Sequence, residues 1–336
     1  MTRTGTTAPT ARRTGIGRLR GWGGVAAMAA ACVLTALIAL LPLQGAGGSA
    51  LPESGSADTP RAEQARAEEC KEPERSLPAS GADGPTIKEI KTRKDKPNKL
   101  IVGVDQNSYR WGYRNPSTGK LEGFDIDLAR AIAKDILGDP DDIIFRAVPT
   151  NQRVPAIQSG QVDMVVRTMT INCERLKDVA FSTAYFETGQ QLLVPEDSKI
   201  KGYDETLAGK KLCTAAGSTA LSELEKQAYG ADISTTVPNQ LDCLVRLQLG
   251  DVDAVVTDSA LAAGQAAQDP TVSLAGKPFT KEYYGVAMSK KAPDLVRRVN
   301  RILEDYRKDD WDKSYKDWLA DDLKDIDGPP APKYQD

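Results

Sequence analysis

The chain contains no histidine in its 336 residues. Because an imidazole is the usual base beside a nucleophilic serine or cysteine, catalysis of these two types is excluded, as is a metal site built on histidine. The sequence also lacks a Cys-x-x-Cys pair, a GxxxxGK[ST] phosphate loop and a GxGxxG turn after a strand-like segment. Zinc binding and nucleotide chemistry are therefore not expected.

Residues 1–50 have the composition of an export signal. The first 20 residues carry five arginines and no acidic residue, and residues 25–43 form a mostly apolar run without a charge. Cleavage after Ala50 is one outcome, whereas an uncut run of about 20 apolar residues would span a bilayer. Lipidation of Cys32 is a third outcome. The sequence thus predicts a signal peptide or an N-terminal membrane anchor, and an extracytoplasmic protein.

The part of the chain beyond residue 50 is acidic. It keeps 39 of the 44 basic residues, since five lie in the signal, and all 47 acidic residues, which gives a net charge of −8. A negative chain is poorly suited to nucleic acid, so no such partner is expected. Residues 51–98 mix Pro, Gly, Ser and charge, which predicts a flexible linker, and the composition of residues 326–336 predicts a disordered tail.

One pattern occurs twice and indicates two similar lobes. GQVDMVV begins at Gly160 and GDVDAVV at Gly250, and each follows an apolar-patterned segment that a glycine can end as a helix. Both copies predict a helix, a glycine turn and a buried strand, as in an α/β fold with a parallel sheet. We assign residues 99–189 and 282–325 to lobe 1 and residues 190–281 to lobe 2.

Polar side chains follow both buried strands, at the end where parallel sheets bind ligands. Thr168 and Thr170 come after the first strand and Asp258 after the second. Arg175 can bind a carboxylate through two parallel N–H bonds, with the threonine hydroxyls beside it, and Asp258 can accept from an ammonium group. The set therefore suits a zwitterion. The alternatives are that Arg175 is a surface residue of a charged helix and that Asp258 caps the helix that follows.

Two further segments are candidates for ligand contact. Ser218 and Thr219 begin a predicted helix of lobe 2, where free backbone amides can receive an anion, although helix capping alone is the alternative. Tyr109 lies with Trp111 and Tyr113 in the loop after the first strand of lobe 1. Aromatic residues beside a cleft suit a small ligand, whereas core packing is the alternative for Trp111 and Tyr113.

Four cysteines remain if Cys32 leaves with the signal, an even number in a compartment that permits disulfides. Three pairings are open. Cys213 and Cys243 lie on a strand and a helix of the same lobe, so we pair them first, which leaves Cys70 with Cys173. Two buried thiols are the alternative, and no metal site is expected.

Residues 100–319 resemble the extracytoplasmic solute-binding proteins of ABC transporters for polar amino acids, in the glutamate/glutamine branch. The resemblance rests on LEGFDIDLARAIA, VPAIQSGQVDMVVRTMTINCER, VAFSTAYFETGQQLLV, LAGKKLCTAAGST, GDVDAVVTDSALAAG and YKDWL. It implies a type II periplasmic-binding-protein fold, in which two α/β lobes are joined by two crossing strands, here near 187–191 and 281–285. It also implies a monomer without a cofactor that closes on an amino acid and passes it to a permease.

In that family, a threonine and an arginine hold the ligand α-carboxylate and an aspartate binds the α-ammonium group. These positions correspond to Thr170, Arg175 and Asp258. Glycine is common in the family where this chain has Thr168, and the glutamine-binding members have lysine where this chain has Ala215. The resemblance therefore argues against an amide-selective site of that kind.

Asp105 matches a position that contacts the ligand side chain in some members of the family. A carboxylate there disfavours an acidic ligand unless Arg110, Arg114 or Arg167 neutralises it, and strand alternation points Arg167 away from Thr168. The overall similarity favours an acidic amino acid, glutamate first, with aspartate, glutamine and asparagine as alternatives.

Two other functions compete with delivery to a permease. A sensor would use the same closed form to engage a membrane receptor. A dehydratase on the same scaffold would need an acid or base in the cleft, for which Glu187, Asp105 and Asp258 are candidates.

Overall fold

The computed structural model describes residues 70–324 and 326–335. The predicted signal or anchor and the first part of the predicted linker lie outside these residues. In the described part, no helix combines the length and the apolar composition needed to cross a membrane.

The chain builds part of lobe 1, crosses to lobe 2 and returns. The first passage consists of α1 (Pro85–Thr92), β1 (Leu100–Val104), β2 (Asn107–Ser108), β3 (Gly112–Arg114), β4 (Leu121–Glu122), α2 (Phe124–Leu137), β5 (Ile143–Ala147), a 3-10 turn (Thr150–Gln152), α3 (Arg153–Gln158), β6 (Met164–Val165), α4 (Cys173–Leu176), β7 (Val179–Phe181) and β8 (Phe186–Thr188). Lobe 2 consists of β9 (Gln190–Pro195), a 3-10 turn (Glu205–Leu207), β10 (Lys211–Ala215), α5 (Thr219–Lys226), β11 (Asp232–Val237), α6 (Gln240–Gln248), β12 (Ala254–Asp258), α7 (Ser259–Ala266) and β13 (Val272–Ala275). The return passage consists of β14 (Glu282–Tyr284), β15 (Ala287–Ser289), α8 (Pro293–Tyr306) and α9 (Asp310–Trp318).

The sheet of lobe 1 has the strand order β5-β1-β6-β15-β7, with β1 parallel to β5 and β6, and β15 antiparallel to its neighbours. β1 is buried along its whole length because helices cover both faces of the sheet. Val102 packs in one apolar cluster with α2 and α8, whereas Ile101 packs in another with α3. The β-branched run of β1 thus forms the centre of lobe 1.

The sheet of lobe 2 has the order β11-β10-β12-β9-β13, with β10 parallel to β11 and β12. The predicted repeat of helix, glycine and strand is confirmed in both lobes. α3 and α6 end just before Gly160 and Gly250, whose φ angles of +70° and +73° are in the left-handed region that favours glycine. β6 and β12 follow at the same distance and lie at the centres of their sheets.

β8 and β14 form a separate antiparallel pair between the lobes, with Phe186 opposite Tyr284 and Thr188 opposite Glu282. They are the two crossing strands of a two-lobed type II fold. Trp111 packs edge-on against this pair, with ring centroids 4.8 Å from Phe186 and 5.6 Å from Tyr284. Trp111 is therefore a core residue beneath the hinge.

The prediction of a flexible linker is wrong for residues 70–98. α1 packs against lobe 1 through Ile87 and Ile90, which are fully buried. Asn300 of α8 donates a hydrogen bond to the Ser76 hydroxyl at 2.8 Å. Two isoleucines on a short helix form an apolar face that overall composition does not reveal.

The prediction of a disordered tail is likewise wrong for residues 326–335. Tyr334 forms a parallel bridge with Ser76, and Lys333 forms an ion pair with Glu74 at 2.6 Å. The two ends of the described chain thus hold each other. Such contacts join residues far apart in sequence, so local composition cannot predict them.

Both predicted disulfides are present. Cys213 of β10 is bonded to Cys243 of α6, and Cys70 is bonded to Cys173 at the start of α4, with Cα separations of 5.5 and 5.9 Å. The first disulfide fixes α6 to the sheet of lobe 2. The second ties the segment that enters lobe 1 to the helix that carries Arg175.

Candidate functional site

The polar residues after β6 and at the end of β12 meet beside the hinge strands β8 and β14. Residues 166–172 follow β6, and β12 ends at Asp258 itself. Thr170 forms an antiparallel bridge with Tyr284 of β14, and its hydroxyl donates to Glu282 Oε2 at 2.8 Å. The carboxyl ends of the two central strands thus bring polar residues to the junction of the lobes.

Arg175 reaches from lobe 1 to lobe 2. Asn172 caps α4 by accepting a hydrogen bond from the Arg175 amide at 2.9 Å. The guanidinium donates through Nη1 to the Thr170 carbonyl at 2.6 Å and through Nη2 to the Gly217 carbonyl at 3.2 Å. It forms no ion pair with an acidic side chain in the described part of the chain, and its withdrawal from water lowers its pKa. This is not the geometry of a solvated surface arginine.

Asp258 occupies the N-cap position of α7, but its carboxylate makes no capping hydrogen bond. It is 6% exposed and accepts a hydrogen bond from Gln190 Nε2 at 3.0 Å. Burial, and then the charge of Glu282, raises the pKa of Asp258 to about 7, while the guanidinium groups of Arg153 and Arg175 oppose the shift. A buried carboxylate in this setting can accept an ammonium group.

Glu282 is a second buried carboxylate at the site, and the sequence analysis missed it. Its two oxygens accept hydrogen bonds from the hydroxyls of Thr170 and Thr280, each at 2.8 Å. The segment KEYY has the pattern of an ordinary strand. Only the bridge between Thr170 and Tyr284 brings this carboxylate towards Asp258.

Thr168 has a left-handed backbone, with a φ of +40°. Its amide donates to Asp125 Oδ2 at 2.9 Å, and the Tyr185 hydroxyl donates to Oδ1 of the same carboxylate at 2.8 Å. Burial raises the pKa of Asp125 to about 7. A β-branched residue is strained in this conformation, which glycine adopts readily. The bond to Asp125 holds the strained turn, and the same geometry explains why glycine is common here in the family that the chain resembles.

Asp105 and Arg167 form a buried ion pair in lobe 1, with Arg167 Nη2 2.8 Å from Asp105 Oδ2. Asp105 Oδ1 also accepts the amides of Gln106 and Asn107, and Oδ2 accepts the Ser108 hydroxyl. Of the three arginines named as groups that could neutralise Asp105, Arg167 is the one that does so, although strand alternation predicts that it points away from Thr168. β6 ends two residues before Arg167, so the alternation does not extend to it.

Arg110 and Tyr109 lie apart from the ion pair of Asp105 and Arg167. Arg110 Nη1 lies 3.1 Å from Asp322 Oδ2 near the end of the chain, whereas the ion-pair partner of Asp105 is Arg167. Arg114 bonds within its own hairpin. The Tyr109 carbonyl lies 3.0 Å from where a Cβ on Gly264 would be, which places the loop against α7 of lobe 2. Tyr109 shares no hydrogen bond or ring contact with the charged residues of the site.

Arg153, at the start of α3, is a third guanidinium of the site and was also missed. It is 3% exposed, with Nε donating to the Thr150 carbonyl at 2.9 Å and Nη1 to the Arg167 carbonyl at 3.4 Å. It forms no ion pair with an acidic side chain of the described residues. Burial and the charges of Arg175 and Arg167 lower its pKa well below the usual value, yet a guanidinium keeps its proton in proteins. The sequence NQRVPAIQSG does not distinguish it from a surface arginine.

The turn before α5 lies against lobe 1. Ser218 caps the helix by accepting the Leu221 amide at 3.2 Å, the alternative that the sequence left open. The hydroxyl of Thr219 is buried and has no hydrogen-bond partner among the described residues. A Cβ at Gly217 would be only 3.1 Å from the Asn151 Cα of lobe 1. A donor on lobe 2 is thus free at the point where the lobes meet.

The site holds separated charges of both signs. Within the described residues, Arg153 and Arg175 have no acidic ion-pair partner, and Asp258 and Glu282 have no basic one. Arg153, Asp258 and Glu282 are buried and Arg175 is half-buried. Charges withdrawn from water without partners are unfavourable, so this arrangement suits a small ligand that carries both charges. The described residues contain no group of His, Cys, Asp and Glu placed to hold a metal ion.

Two open cavities, of about 360 and 500 Å³, lie between the hinge and the C-terminal segment and share Ser259, Pro278 and Ile326. None of the four unpaired charged residues lines them. The contact of Arg175 with Gly217 shows that the lobes are closed over the site, so an open cavity does not mark it.

We expect the affinity for an amino-acid ligand to decrease as the pH falls below about 7, because Asp258 then becomes protonated. Only the ionised carboxylate attracts an ammonium group, so ligand binding lowers this pKa and releases a proton, and acidification opposes binding. Calorimetric titration between about pH 8 and pH 6 measures the effect, since it covers both sides of this pKa.

Asp258→Asn provides the control for this pH dependence. The variant should bind more weakly and lose most of the pH dependence, because no carboxyl group then faces the ammonium. A pH profile like that of the parent protein would assign the dependence to Asp125, whose pKa is also about 7, and would contradict the role of Asp258.

Comparison with known proteins supports a binding site for a small ligand. A sequence model of the bacterial extracellular solute-binding proteins, family 3, matches residues 100–321. The chain is 39% identical over 250 residues to the ABC transporter glutamine-binding protein GlnH of Bacillus subtilis, with 73% of this chain and 91% of that protein covered. It is 32% identical over 216 residues to the glutamate-binding protein GluB of Corynebacterium efficiens, with 61% of this chain and 73% of that protein covered.

Solved structures show the same likeness. An ancestral arginine-binding protein bound to glutamine superposes with a TM-score of 0.62 at 39% identity, over 66% of this chain and 98% of that chain. The family match covers more than half of the chain and includes both lobes and the hinge. The chain therefore belongs to the bacterial extracellular solute-binding proteins of family 3.

Proposed function

We propose that this protein binds an acidic amino acid outside the cytoplasm, glutamate in preference to aspartate, glutamine or asparagine, and delivers it to the permease of an ABC transporter. The family and the relatives are solute-binding proteins rather than enzymes, so the dehydratase alternative is set aside. Relatives named for glutamine and for glutamate support an amino acid of this size without deciding between the two.

The α-carboxylate and the α-ammonium group of the ligand both have partners at the junction of the lobes. The α-carboxylate replaces the carbonyl partners of Arg175, takes a further donor from the hydroxyl of Thr219, and competes with Glu282 for the single O–H of Thr170. The α-ammonium group binds Asp258, with Glu282 adding negative charge behind it. These assignments give Arg175 an anionic partner and Asp258 a cationic one.

The preference for an acidic side chain rests on Arg153. Arg167 is neutralised by Asp105, and Arg175 is assigned to the α-carboxylate, so Arg153 is the one guanidinium of the site without an anionic partner, as Glu282 is the one carboxylate without a cationic partner. An unpaired buried charge is unfavourable by about several kcal/mol. A carboxylate on the ligand side chain would neutralise Arg153, whereas a neutral amide would not.

Asp105 supports the same preference. Its two oxygens already accept three hydrogen bonds, from two backbone amides and the Ser108 hydroxyl, and Oδ2 is also ion-paired with Arg167. An ionised carboxylate has about four acceptor sites, and the three hydrogen bonds and the ion pair with Arg167 engage both oxygens, so a ligand NH₂ group would compete with existing partners of Asp105. It is therefore poorly suited to select glutamine.

The same proposal assigns residues 1–50 to export or to anchoring in the membrane. The closed lobes then present the ligand to the permease. A membrane receptor that senses the closed form is the alternative partner.

A thermal-shift screen of the exported protein against the common amino acids tests the proposal. Glutamate should raise the melting temperature most, because a ligand of the native state stabilises it by about 2.7 kcal/mol at a hundred times its Kd. The Arg175→Ala variant should show a much smaller rise at the same concentrations, because its affinity is at least roughly thirtyfold lower. A screen in which only sugars or metal ions stabilise the protein would overturn the proposal.

A further inference from the structure

Three consecutive residues at the start of α6 contact lobe 1 without belonging to the site described above. The Pro238 carbonyl accepts the Thr150 amide at 3.1 Å, and Gln240 Oε1 accepts the Thr150 hydroxyl at 3.1 Å. Asn239 Oδ1 accepts a hydrogen bond from Arg167 Nη2 at 3.2 Å. One turn of lobe 2 thus makes three hydrogen bonds to lobe 1.

The lobe 1 side of this contact is held in place by buried groups. Arg167 is fully buried, is fixed by Asp105 and donates through Nη1 to the Thr150 hydroxyl at 3.1 Å. The Thr150 carbonyl accepts Arg153 Nε at 2.9 Å. Thr150 therefore touches both lobe 2 and the guanidinium that we assign to the ligand side chain.

The lobe 2 side is also preorganised. Asn239 and Asp242 form a capping box that fixes the first turn of α6, and the disulfide of Cys243 ties the helix to β10. Groups already held in their bonding positions lose little conformational entropy when the lobes close. Closure can therefore form all three hydrogen bonds at once.

We infer that Arg167 and Thr150, together with residues 238–240, form a latch that sets ligand affinity through lobe closure rather than through contact with the ligand. The inference rests on the proposed function, since it requires an amino acid that the lobes close upon. Hydrogen bonds made only in the closed form stabilise that form, and a ligand that binds the closed form gains affinity by the same factor. The latch residues are positioning residues.

Asn239→Ser removes the latch contact with Arg167 while it keeps the cap of α6. Serine keeps an N-cap acceptor for α6 but is too short to reach Arg167. Val245→Ser is the matched control, because Val245 lies on the same helix and is 48% exposed. Each variant is titrated with glutamate and with glutamine, and the rates of association and dissociation are measured by stopped flow.

The latch predicts that Asn239→Ser weakens the binding of both amino acids by one common factor, about tenfold for a lost hydrogen bond to a charged group. The loss should appear as faster dissociation with an unchanged association rate, while Val245→Ser behaves like the parent protein. Gln240→Ala should act in the same direction and provides a second variant.

Two results would overturn the latch: affinities equal to those of Val245→Ser, or a loss confined to one of the two amino acids, which would indicate direct ligand contact. The ratio of the two affinities in the parent protein tests the proposed function separately. The latch predicts a common factor whichever amino acid binds more tightly.

Discussion

Arg175→Ala is expected to reduce the affinity for glutamate at least roughly thirtyfold, a loss of about 2 to 5 kcal/mol by analogy with buried charge pairs that lose one partner. The guanidinium supplies two N–H donors that now bond the carbonyls of Thr170 and Gly217. Alanine would leave the α-carboxylate of the ligand desolvated in the closed cleft without a cation. Calorimetric titration measures the loss directly.

Arg246→Ala is the matched control for this variant. Arg246 is 53% exposed on α6 and pairs with Asp251 at the surface, where ion pairs contribute about 0 to 1 kcal/mol. We expect its affinity for glutamate to equal that of the parent protein. If Arg175→Ala binds as tightly as Arg246→Ala, and all three proteins unfold in similar transitions, the α-carboxylate is held elsewhere.

Arg153→Met is expected to change the ligand preference. Methionine keeps much of the length of the side chain but removes its charge and its N–H donors. Glutamate should lose about 1.5 to 3 kcal/mol, the usual contribution of a hydrogen bond to a charged group, which is roughly a tenfold to hundredfold loss of affinity. Glutamine should lose much less, because its amide does not neutralise the guanidinium in the parent protein.

Glutamine is thus the internal control for Arg153→Met, because glutamate and glutamine have the same α-carboxylate and α-ammonium group and differ only at the end of the side chain. The ratio of the two affinities, measured by calorimetry on the same preparation, is the informative quantity. Equal losses for glutamate and glutamine would show that Arg153 supports the cleft without contacting the ligand side chain. The acidic preference would then lose its basis.

Much of the architecture could be predicted because its signals are local. Gly160 and Gly250 end two helices at equivalent points, and the apolar runs after them form the central strands of the two sheets. Thr170 and Asp258 could be named as candidates because they lie at the carboxyl ends of those strands, Asp258 as the last residue of β12 and Thr170 in the loop after β6. Periodicity and glycine stops need only a few neighbouring residues, so a single sequence contains them.

The rest of the site depends on contacts between distant residues. Glu282 reaches the site because β14 returns beside Thr170, which lies 112 residues earlier in the chain. Arg153 resembles a surface arginine in its own segment and becomes buried only when the loops around Thr150 and Arg167 close over it. Arg110 shows the opposite error: the sequence suggests it as a group that could neutralise Asp105, but its guanidinium lies beside Asp322 near the end of the chain.

The N-terminal segment of the described chain illustrates the same limit. Composition favours a linker there, yet Ile87 and Ile90 are buried against α8 and the first lobe. Two well-spaced apolar residues are enough to dock a short helix when a complementary surface exists. That surface is formed by distant parts of the chain, so local composition does not predict it.

The central claim, that the site selects an acidic amino acid, is tested most directly by titrating the parent protein with glutamate and with glutamine in the same calorimetric experiment. The unpaired guanidinium of Arg153, and an Asp105 carboxylate already engaged by three hydrogen bonds and Arg167, predict that glutamate binds more tightly. Tighter binding of glutamine, or binding of glutamine alone, would contradict this account.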